Sequence, residues 1–336
     1  MNMSAKNKRK KAKRYTAVVI GAGRIGVGFD TPKSKDVITH AKAYTRHADV
    51  ELVGICDADA RRAHDAAKKW GASAFTSIDK MMEELRPDIV SVCVPDAQHI
   101  PVLKQLVAYK PKLVICEKPL ATRLSDARAT VKLYTQRRIP LMVNLSRRFD
   151  PRMQEIRAAF LKGTYGKALA ATATYANGVI HNGTHMVDLL HFLFGKRVSQ
   201  QALVRMPGIH DLDPGVGAFL AFEKCKQAYL IAGDAKKYSI VELDLYFEKY
   251  RVRLCDFGFP MMEQVAQESA QFPGYRVLSK PRIKSGGWSM AAYHLIDNAV
   301  QHLRKGIPLI CTGQDAIQTQ GSCEILLTSH YVHPRH

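Results

Sequence analysis

Three glycines, at positions 21, 23 and 26, have the spacing of a phosphate-binding turn and follow an apolar run at 17–20. In a G-x-G-x-x-G turn between strand and helix, the first glycine permits the turn and the second admits a pyrophosphate. The third lets the helix pack on the strand, and amides at the helix N-terminus face the phosphates. A glycine-rich turn without a ligand is the alternative. The predicted cofactor contacts are Gly21, Gly23, Arg24, Ile25 and Gly26.

An acid, Asp57, ends the next apolar run at 51–56. A carboxylate there accepts hydrogen bonds from the adenosine ribose and repels a 2′-phosphate, which favours NAD over NADP. Arg61 and Arg62 begin the next predicted helix and are suited to binding such a phosphate, so NADP remains the less favoured alternative. Asp57 follows Gly26 by more than the usual spacing of about 20 residues. The excess is a polar insertion at 30–35, which we expect to help cover the cofactor.

A lysine stands at the end of another apolar run, in Glu117-Lys118-Pro119 after residues 113–116. Open α/β sheets bind their ligands at the carboxyl ends of the strands. Beside a nicotinamide, an ammonium group donates a hydrogen bond to the oxygen of the reacting carbon, which polarises a carbonyl or stabilises an alkoxide. Lys118 is therefore a candidate catalytic residue. On position alone, a lysine that merely occupies a strand end is an equally good interpretation.

These residues need a parallel sheet that brings strand ends together. Residues 15–144 alternate continuous apolar runs with helical stretches, a pattern typical of parallel strands covered on both faces. Strands are predicted at 17–20, 51–56, 89–94, 113–116 and 141–143. Helices are predicted around 40–46 and at 58–70, 78–85, 100–108 and 125–138. We therefore predict a dinucleotide-binding α/β Rossmann domain over 15–144.

After residue 144 the pattern changes to consecutive strands. Asp150-Pro151 is a good N-cap and first-turn pair for a helix that runs to 161. Strands are predicted at 168–175, 201–206, 218–222, 228–232, 239–247 and 252–256. Further helices are predicted at 184–194 and 290–304. The predicted fold class is an α/β Rossmann domain followed by an α+β domain, over 145–336, with a large open, mainly antiparallel sheet.

Composition narrows the class of protein. The chain has 336 residues, enough for two domains, and its 46% hydrophobic content is ordinary for a globular protein. Its apolar runs are too short and too often interrupted by charge for a transmembrane helix, and the N-terminus lacks the apolar region of a secretory signal. The seven cysteines form no C-x-x-C pair and mostly lie in apolar runs. They predict reduced core thiols in a cytoplasmic protein.

The formal net charge of +20 has two sources. Residues 1–14 contain seven lysines and arginines and no acid, which predicts a disordered basic tail. Contact of this tail with nucleic acid or a membrane is the alternative, and we expect neither partner. The remaining positive excess favours anionic ligands, such as a dinucleotide and a phosphorylated or carboxylated substrate.

The motifs together resemble the glucose–fructose oxidoreductase / inositol dehydrogenase (Gfo/Idh/MocA) family, from residue 15 to about 327. In chain order they are 21–26, Asp57, Pro95 with His99, Glu117-Lys118-Pro119, Arg147-Arg148-Phe149, 183–188 (GTHMVD) and 313–316 (GQDA), the last as a turn. The resemblance implies an open sheet that often mediates oligomers, here a homodimer or homotetramer. It also implies that Pro95, His99 and Glu117 belong to the cofactor site. The Lys118–Pro119 peptide is a candidate for the cis form.

The resemblance further implies that His185 works with Lys118. An imidazole takes a hydroxyl proton during oxidation and returns it during reduction. Asp188 follows one helical turn later and is a candidate to orient that imidazole. His181 and His185 also have a metal-like spacing, but no third ligand set accompanies them, so no metal is predicted.

One departure from the family pattern bears on the substrate. Where the family commonly has an aspartate four residues before the histidine, this chain has His181. Family members that act on nucleotide-linked sugars also tend to lack the aspartate, so the resemblance implies a sugar-nucleotide or glycan-precursor substrate. Candidate substrate contacts are His181, Asn182 and Arg148, and on weaker grounds Tyr175 and Asn177. An ion pair within the protein is an equally good interpretation of Arg148.

We therefore predict an NAD(P)-dependent oxidoreductase that transfers hydride between a nicotinamide and a sugar carbinol or keto carbon. Reduction of a non-sugar carbonyl or imine, as in the biliverdin reductase-like relatives, is an alternative. A non-catalytic NAD-binding regulator is another. The presence of both Lys118 and His185 argues against a regulator, because a sensor needs neither.

Overall fold

The computed structural model describes residues 14–209, 212–255, 260–329 and 331. The predicted basic tail lies outside these ranges except for Arg14, whose guanidinium donates to the Val50 carbonyl at 2.7 Å. Within the described ranges, no helix is long and apolar enough to cross a membrane. All seven cysteines are free, and each one except Cys255 is buried, as the sequence predicts.

The continuous apolar runs of the first half form a parallel sheet. Within the described residues its six strands are β1 (Tyr15–Ile20), β2 (Val50–Cys56), β3 (Ser73–Phe75), β4 (Ile89–Val92), β5 (Leu113–Glu117) and β6 (Leu141–Asn144). Their order is β3-β2-β1-β4-β5-β6, with every neighbouring pair parallel. The order reverses between β1 and β4, and the carboxyl ends of strands open a ligand crevice at such a point.

The helices of this half cover both faces of the sheet. They are α1 (His40–Arg46), α2 (Ala60–Trp70), α3 (Ile78–Leu85), α4 (Asp96–Leu106) and α5 (Leu124–Arg137). Only α4 departs clearly from its predicted start, because Pro101 is accommodated inside the helix. The glycine turn leads into a short π-helical turn, Arg24–Gly28, before the chain reaches α1.

The second half builds a large mixed sheet. Its elements are α6 (Pro151–Leu161), β7 (Ala168–Ala176), α7 (Thr184–Phe194), β8 (Arg197–Met206), β9 (Gly215–Phe222), β10 (Ala228–Gly233), β11 (Val241–Phe247), β12 (Tyr250–Leu254), β13 (Pro260–Glu268), β14 (Arg276–Leu278), β15 (Arg282–Ser285), α8 (Ala291–Lys305) and α9 (Gly313–Thr328). The strand order in the described part is β14-β13-β12-β11-β7-β10-β9-β8, with β15 also paired to β13. All pairs are antiparallel except β7 with β10. The predicted fold class is confirmed.

The sequence missed four strands, β3, β13, β14 and β15, and the last helix. Strands β14 and β15 are exposed along their length and carry no alternating apolar pattern. The segment 313–316 was expected as a turn, and this was wrong, because it is the first turn of α9. A reciprocal capping box between Thr312 and Asp315 begins that helix.

Helix α8 and the start of α9 return to the first domain. Leu295, Ile296 and Val300 of α8 lie in the same buried cluster as β1, β4 and β5. A second buried cluster joins α6 and α7 to one face of the large sheet through Phe160, Leu190 and related side chains. The chain therefore passes between the two cores three times: after Phe149, before Ala291 and within α9.

Arg148 is buried at the crossing and is not available to a substrate. Its guanidinium donates from Nη2 to Asp188 at 2.7 Å and from Nη1 to Asp315 at 2.9 Å, and Thr319 also donates to Asp188. Only 3% of Arg148 is exposed. The structure thus corrects two predictions. Arg148 is not a substrate contact, and Asp188 is engaged by this guanidinium instead of orienting His185.

Arg148→Ala should lower the free energy of unfolding by about 3–5 kcal/mol, because it leaves the buried Asp188 carboxylate and the partly buried Asp315 carboxylate without their cation. Arg152→Ala is the matched control, since its exposed pair with Glu155 contributes at most about 1 kcal/mol. Denaturant unfolding followed by circular dichroism measures both. Equal losses for the two variants would contradict the assigned role of Arg148.

Candidate active site

The glycine turn has the shape that a dinucleotide needs. Gly21 has a φ of 103°, and a Cβ there would lie 2.5 Å from the Cys93 carbonyl oxygen. A Cβ on Gly26 would collide with the Gly21 carbonyl oxygen, so both residues must be glycine for the turn to pack. A Cβ on Gly23 would have nothing within 4 Å. The open side of Gly23 fits a pyrophosphate that approaches the backbone.

A cavity of about 470 Å³ adjoins this turn, and its lining includes Gly21, Gly23, Asp57, Arg62 and Pro95. The Asp57 carboxylate accepts from the Ala22 amide at 2.8 Å and from Arg62 Nη2 at 2.8 Å. Asp57 therefore ties the glycine turn to the end of β2 and lies where a ribose is expected. Arg62 lies beside it, so the carboxylate is partly neutralised.

Two other predicted cofactor contacts lie elsewhere. Arg24 is exposed at the start of the π-helical turn. His99 is fully buried, with Nδ1 at 2.7 Å from the Pro119 carbonyl oxygen and Nε2 at 2.9 Å from that of Val94. The prediction that His99 binds the cofactor is corrected, because its ring joins the loops after β4 and β5 and does not line the cavity.

A second cavity, of about 380 Å³, lies between the domains and contains the predicted catalytic pair. Its polar lining includes Glu117, Lys118, Asn144, His181 and His185. Its apolar wall is formed by Ile25, Phe29, Val37, Ile38, Trp288, Ala291 and other residues. Phe29, Val37 and Ile38 of that wall flank the insertion at 30–35, whose own residues line neither this cavity nor the one at the glycine turn.

Burial acts on the protonation of both Lys118 and His185, but nearby charges oppose it at one and reinforce it at the other. Burial lowers the pKa of Lys118 below its usual 10.5, an effect that nearby Glu117, Asp96 and Asp213 oppose. Burial also lowers the pKa of His185 well below 6.5, and the cations around it, led by Lys118, lower it further. His185 is therefore a neutral base near pH 7. Its buried Nδ1 has no hydrogen-bond partner among the described residues.

The Lys118 ammonium is held by the segment that precedes His185. Nζ donates to the His181 carbonyl oxygen at 3.0 Å. This segment, the π-helical turn Gly178–Gly183, is fixed in turn by Asp213, which accepts from the Ile180 and His181 amides at 2.9 Å. Asp213 approaches so closely because Gly178 has no Cβ. The exposed side chain of His181 remains at the cavity.

Sequence reasoning missed two buried polar residues that hold Glu117. Its Oε1 accepts from His40 Nε2 at 2.8 Å and from Asn144 Nδ2 at 2.7 Å. Although burial opposes ionisation, these hydrogen bonds and the charges nearby leave the pKa of Glu117 below its usual value. The sequence offered a signal for Asn144 as a site residue, because it is a polar residue at the end of β6, the strand next to β5. His40 carried no such signal.

The remaining predicted substrate contacts lie outside the cavity, and these predictions are corrected. The Asn182 amide donates to the Ala176 carbonyl oxygen at 2.8 Å. Tyr175 is buried, and its hydroxyl bonds the backbone of Val216. Asn177 has a φ of 73° and caps the π-helical turn. Across the described ranges, no group of three histidine, cysteine or acidic residues is arranged to hold a metal ion.

Comparison with known proteins agrees with this geometry. Residues 15–145 match the Gfo/Idh/MocA model, described as an oxidoreductase family with an NAD-binding Rossmann fold. Inositol 2-dehydrogenase of Rhizobium meliloti is 30% identical over 53% of this chain and 54% of the relative. D-glucoside 3-dehydrogenase of Escherichia coli is 28% identical over 52% of this chain and 51% of the relative. The chain thus matches about half the length of these curated relatives.

The whole chain shares its fold with a solved dehydrogenase. The WlbA dehydrogenase of Bordetella pertussis, in complex with NADH and UDP-GlcNAcA, is 18% identical and superimposes with a TM-score of 0.74. The match covers 95% of this chain and 96% of that one. Over residues 15–145, this chain is therefore similar to the NAD-binding Rossmann domain of the Gfo/Idh/MocA oxidoreductase family.

Proposed function

We propose that this chain is an NAD-dependent dehydrogenase that acts on a carbinol carbon of a carbohydrate-like substrate. The observation that carries the proposal is the cavity that contains Lys118 and His185 beside the cavity of the glycine turn. The names of the relatives, inositol and glucoside dehydrogenases, support this class of substrate.

The glycine turn and Asp57 would hold NAD. Gly21 and Gly26 shape the turn, Gly23 leaves its open side for the pyrophosphate, and the Asp57 carboxylate accepts from the ribose. When bound, NAD supplies a hydride acceptor, and NADH a hydride donor. The Asp57 carboxylate favours NAD over NADP, although Arg62 reduces the repulsion of a 2′-phosphate.

Lys118 holds the reacting oxygen. Its Nζ carries donors besides the one used by the His181 carbonyl, and a substrate oxygen in the cavity accepts one of them. Partial burial of the Lys118 side chain strengthens the interaction of its ammonium with a developing alkoxide relative to bulk water. This interaction works in both directions, since a carbonyl oxygen is polarised by the same donor.

His185 moves the proton. A neutral imidazole accepts the hydroxyl proton as the carbinol is oxidised. The imidazolium that forms lies close to the Lys118 ammonium, which destabilises it. The proton therefore leaves His185 readily, and in the reverse direction the imidazolium is a strong acid toward the alkoxide.

We further propose a nucleotide-linked or glycan-precursor sugar as the substrate. Support comes from His181, which replaces the aspartate of the common family pattern and has its side chain at the cavity. A fold relative was crystallised with a nucleotide sugar, UDP-GlcNAcA. The cationic groups near the cavity, Lys118 and Arg147 among them, are consistent with an anionic substrate.

We also propose that the chain forms a homodimer or homotetramer through the large sheet. Tyr229 and Ile231 on β10 are 37% and 48% exposed, and they lie on the sheet face opposite the buried Leu230. Exposed apolar side chains grouped on one sheet face favour burial against another surface.

Gly23→Ala should raise the Kd for NADH at least about tenfold, because the new methyl group occupies the approach of the pyrophosphate. The fold should be unaffected, since nothing lies within 4 Å of that methyl position. Gly28→Ala, in the same turn with its nearest neighbour at 3.5 Å, is the control. NADH fluorescence titration and thermal melting measure the two effects. An unchanged Kd for Gly23→Ala would contradict the proposal that the dinucleotide binds at the glycine turn.

Lys118→Ala should lower kcat by about 10²–10³-fold while NADH binding is retained, because only the donor to the reacting oxygen is lost. Turnover is measured as absorbance of the reduced cofactor across a panel of polyols, sugars and nucleotide sugars. Lys104→Ala, an exposed lysine on α4, is the control. Undiminished turnover in Lys118→Ala would refute the mechanism.

The lowered pKa of His185 predicts the acid side of the pH profile. A base with a lowered pKa stays deprotonated in more acidic solution, so oxidation should persist below pH 6.5, the ordinary histidine value. The profile of kcat/KM against pH measures this limb, and His185→Gln should remove it. An acid limb at or above pH 6.5 would contradict the neutral-base role.

A further inference from the structure

A buried chain of hydrogen bonds leads from α1 to the carboxylate next to Lys118. Tyr44 Oη lies 2.6 Å from Ser91 Oγ, and Ser91 Oγ lies 2.8 Å from His40 Nδ1. His40 Nε2 lies 2.8 Å from Glu117 Oε1. Tyr44, Ser91 and His40 have no exposed surface. The mechanism described above uses none of these three side chains.

The direction of each hydrogen bond follows from the acceptor at the end of the chain. Glu117 is ionised and only accepts, so His40 Nε2 carries the proton and donates. In the neutral imidazole Nδ1 then accepts, and the Ser91 hydroxyl donates to it. The Tyr44 hydroxyl donates to Ser91 in turn. Every polar atom of the chain is thus satisfied in one consistent arrangement.

The insertion after the glycine turn places His40 in this chain. The Asp30 carboxylate accepts from the Ile38 amide at 2.7 Å and from the Thr39 amide at 3.1 Å. The Thr39 side chain caps α1, and His40 is the first residue of that helix. Asp30 is itself buried. The position of the His40 ring is therefore set by the fold of the insertion.

Glu117 passes the effect to Lys118. Two donors, from His40 and Asn144, occupy Oε1, and Oε2 lies 3.4 Å from the Lys118 amide. The neighbouring thiols of Cys93 and Cys116 stay neutral, because burial raises their pKa well above 9.0. Glu117 is consequently the anionic group of this buried cluster, and its charge favours the ammonium form of Lys118.

We propose that His40 is a positioning residue, which acts through Glu117 to hold the Lys118 side chain charged and in place. The inference rests on the proposed function of Lys118. His40 touches neither of the two catalytic side chains in the contacts of the described residues, so its contribution differs from theirs. It sets how strongly Glu117 stabilises the ammonium.

The variants separate this role from simple packing. His40→Leu keeps a similar apolar volume and removes both hydrogen bonds, whereas His40→Gln can donate to Glu117 and accept from Ser91. Ser91→Ala removes a single oxygen and leaves His40 in place. The groups that face Lys118 are Glu117 beside it, Asp96 on α4, Asp213 before β9 and His185 on α7. All four are retained in every variant.

The measurements are the kcat/KM profile against pH, the Kd for NADH and thermal melting of the full chain. For His40→Leu we expect kcat to fall by about 10–100-fold, the range typical of a lost supporting hydrogen bond around an active site. The basic limb, which reports loss of the Lys118 proton, should move down by about half a pH unit or more. The Kd for NADH should stay within about twofold, which is a small free-energy change. His40→Gln should restore most of kcat and the basic limb.

Two results would overturn the proposal. One is a basic limb in His40→Leu that coincides with that of the parent chain. The other is a loss of activity in both His40→Leu and His40→Gln with no displacement of the limb. If His40→Leu does not fold, Ser91→Ala is the deciding variant. We expect its basic limb to move in the same direction by a smaller amount, and an unmoved limb would contradict the role of His40. Lys118→Ala tests the proposed function separately, since its full activity would refute that function whatever the His40 variants do.

Discussion

The buried guanidinium of Arg148 is the interaction on which the relation between the two domains depends. It lies just beyond β6 and pairs with Asp188 on α7 and Asp315 on α9. Helix α7 also carries His185, so this ion-pair cluster ties the helix of the proposed base to the end of β6, the strand that pairs with β5 ahead of Lys118. Loss of any one member of such a buried ion-pair cluster destabilises the protein, because it leaves a charge without its partner. The cluster therefore specifies one arrangement of the cleft more than it adds to stability.

The site built at that cleft combines one charged and one neutral group. Lys118 keeps an acidic neighbour, Glu117, which opposes the effect of burial on its pKa. The Lys118 and Arg147 cations lower the pKa of His185, so burial and charge act on it in the same direction. When the environments of two titratable groups push their pKa values apart, the two groups can take different roles in proton transfer. In the proposed mechanism the ammonium binds the substrate oxygen, and the imidazole carries the proton.

Most secondary-structure elements and the glycine turn could be predicted from the sequence, but contacts between residues far apart in the chain could not. The parallel strands were predictable because burial on both faces makes their apolar runs continuous. The glycine turn was predictable because its backbone requires glycine at defined positions. An ion pair was one of the two interpretations of Arg148, but its partners could not be named, because they lie 40 and 167 residues away and sequence shows residue types without their contacts. His40 was missed for the same reason, since its partner Glu117 lies 77 residues away. Helix α9 was missed because its apolar residues face several directions.

At position 181 the chain offers Lys118 a backbone carbonyl and no side-chain carboxylate. An aspartate there would place a carboxylate four residues before His185, whereas in this chain the Lys118 ammonium binds the neutral backbone carbonyl of His181. A carbonyl dipole stabilises an ammonium less than a full negative charge does. The carboxylates that remain are Glu117, Asp96 and Asp213, and Asp213 already accepts two backbone amides. The charge of Glu117, and hence the hydrogen bonds from His40 and Asn144 that maintain it, matters more here than in a site that has the aspartate.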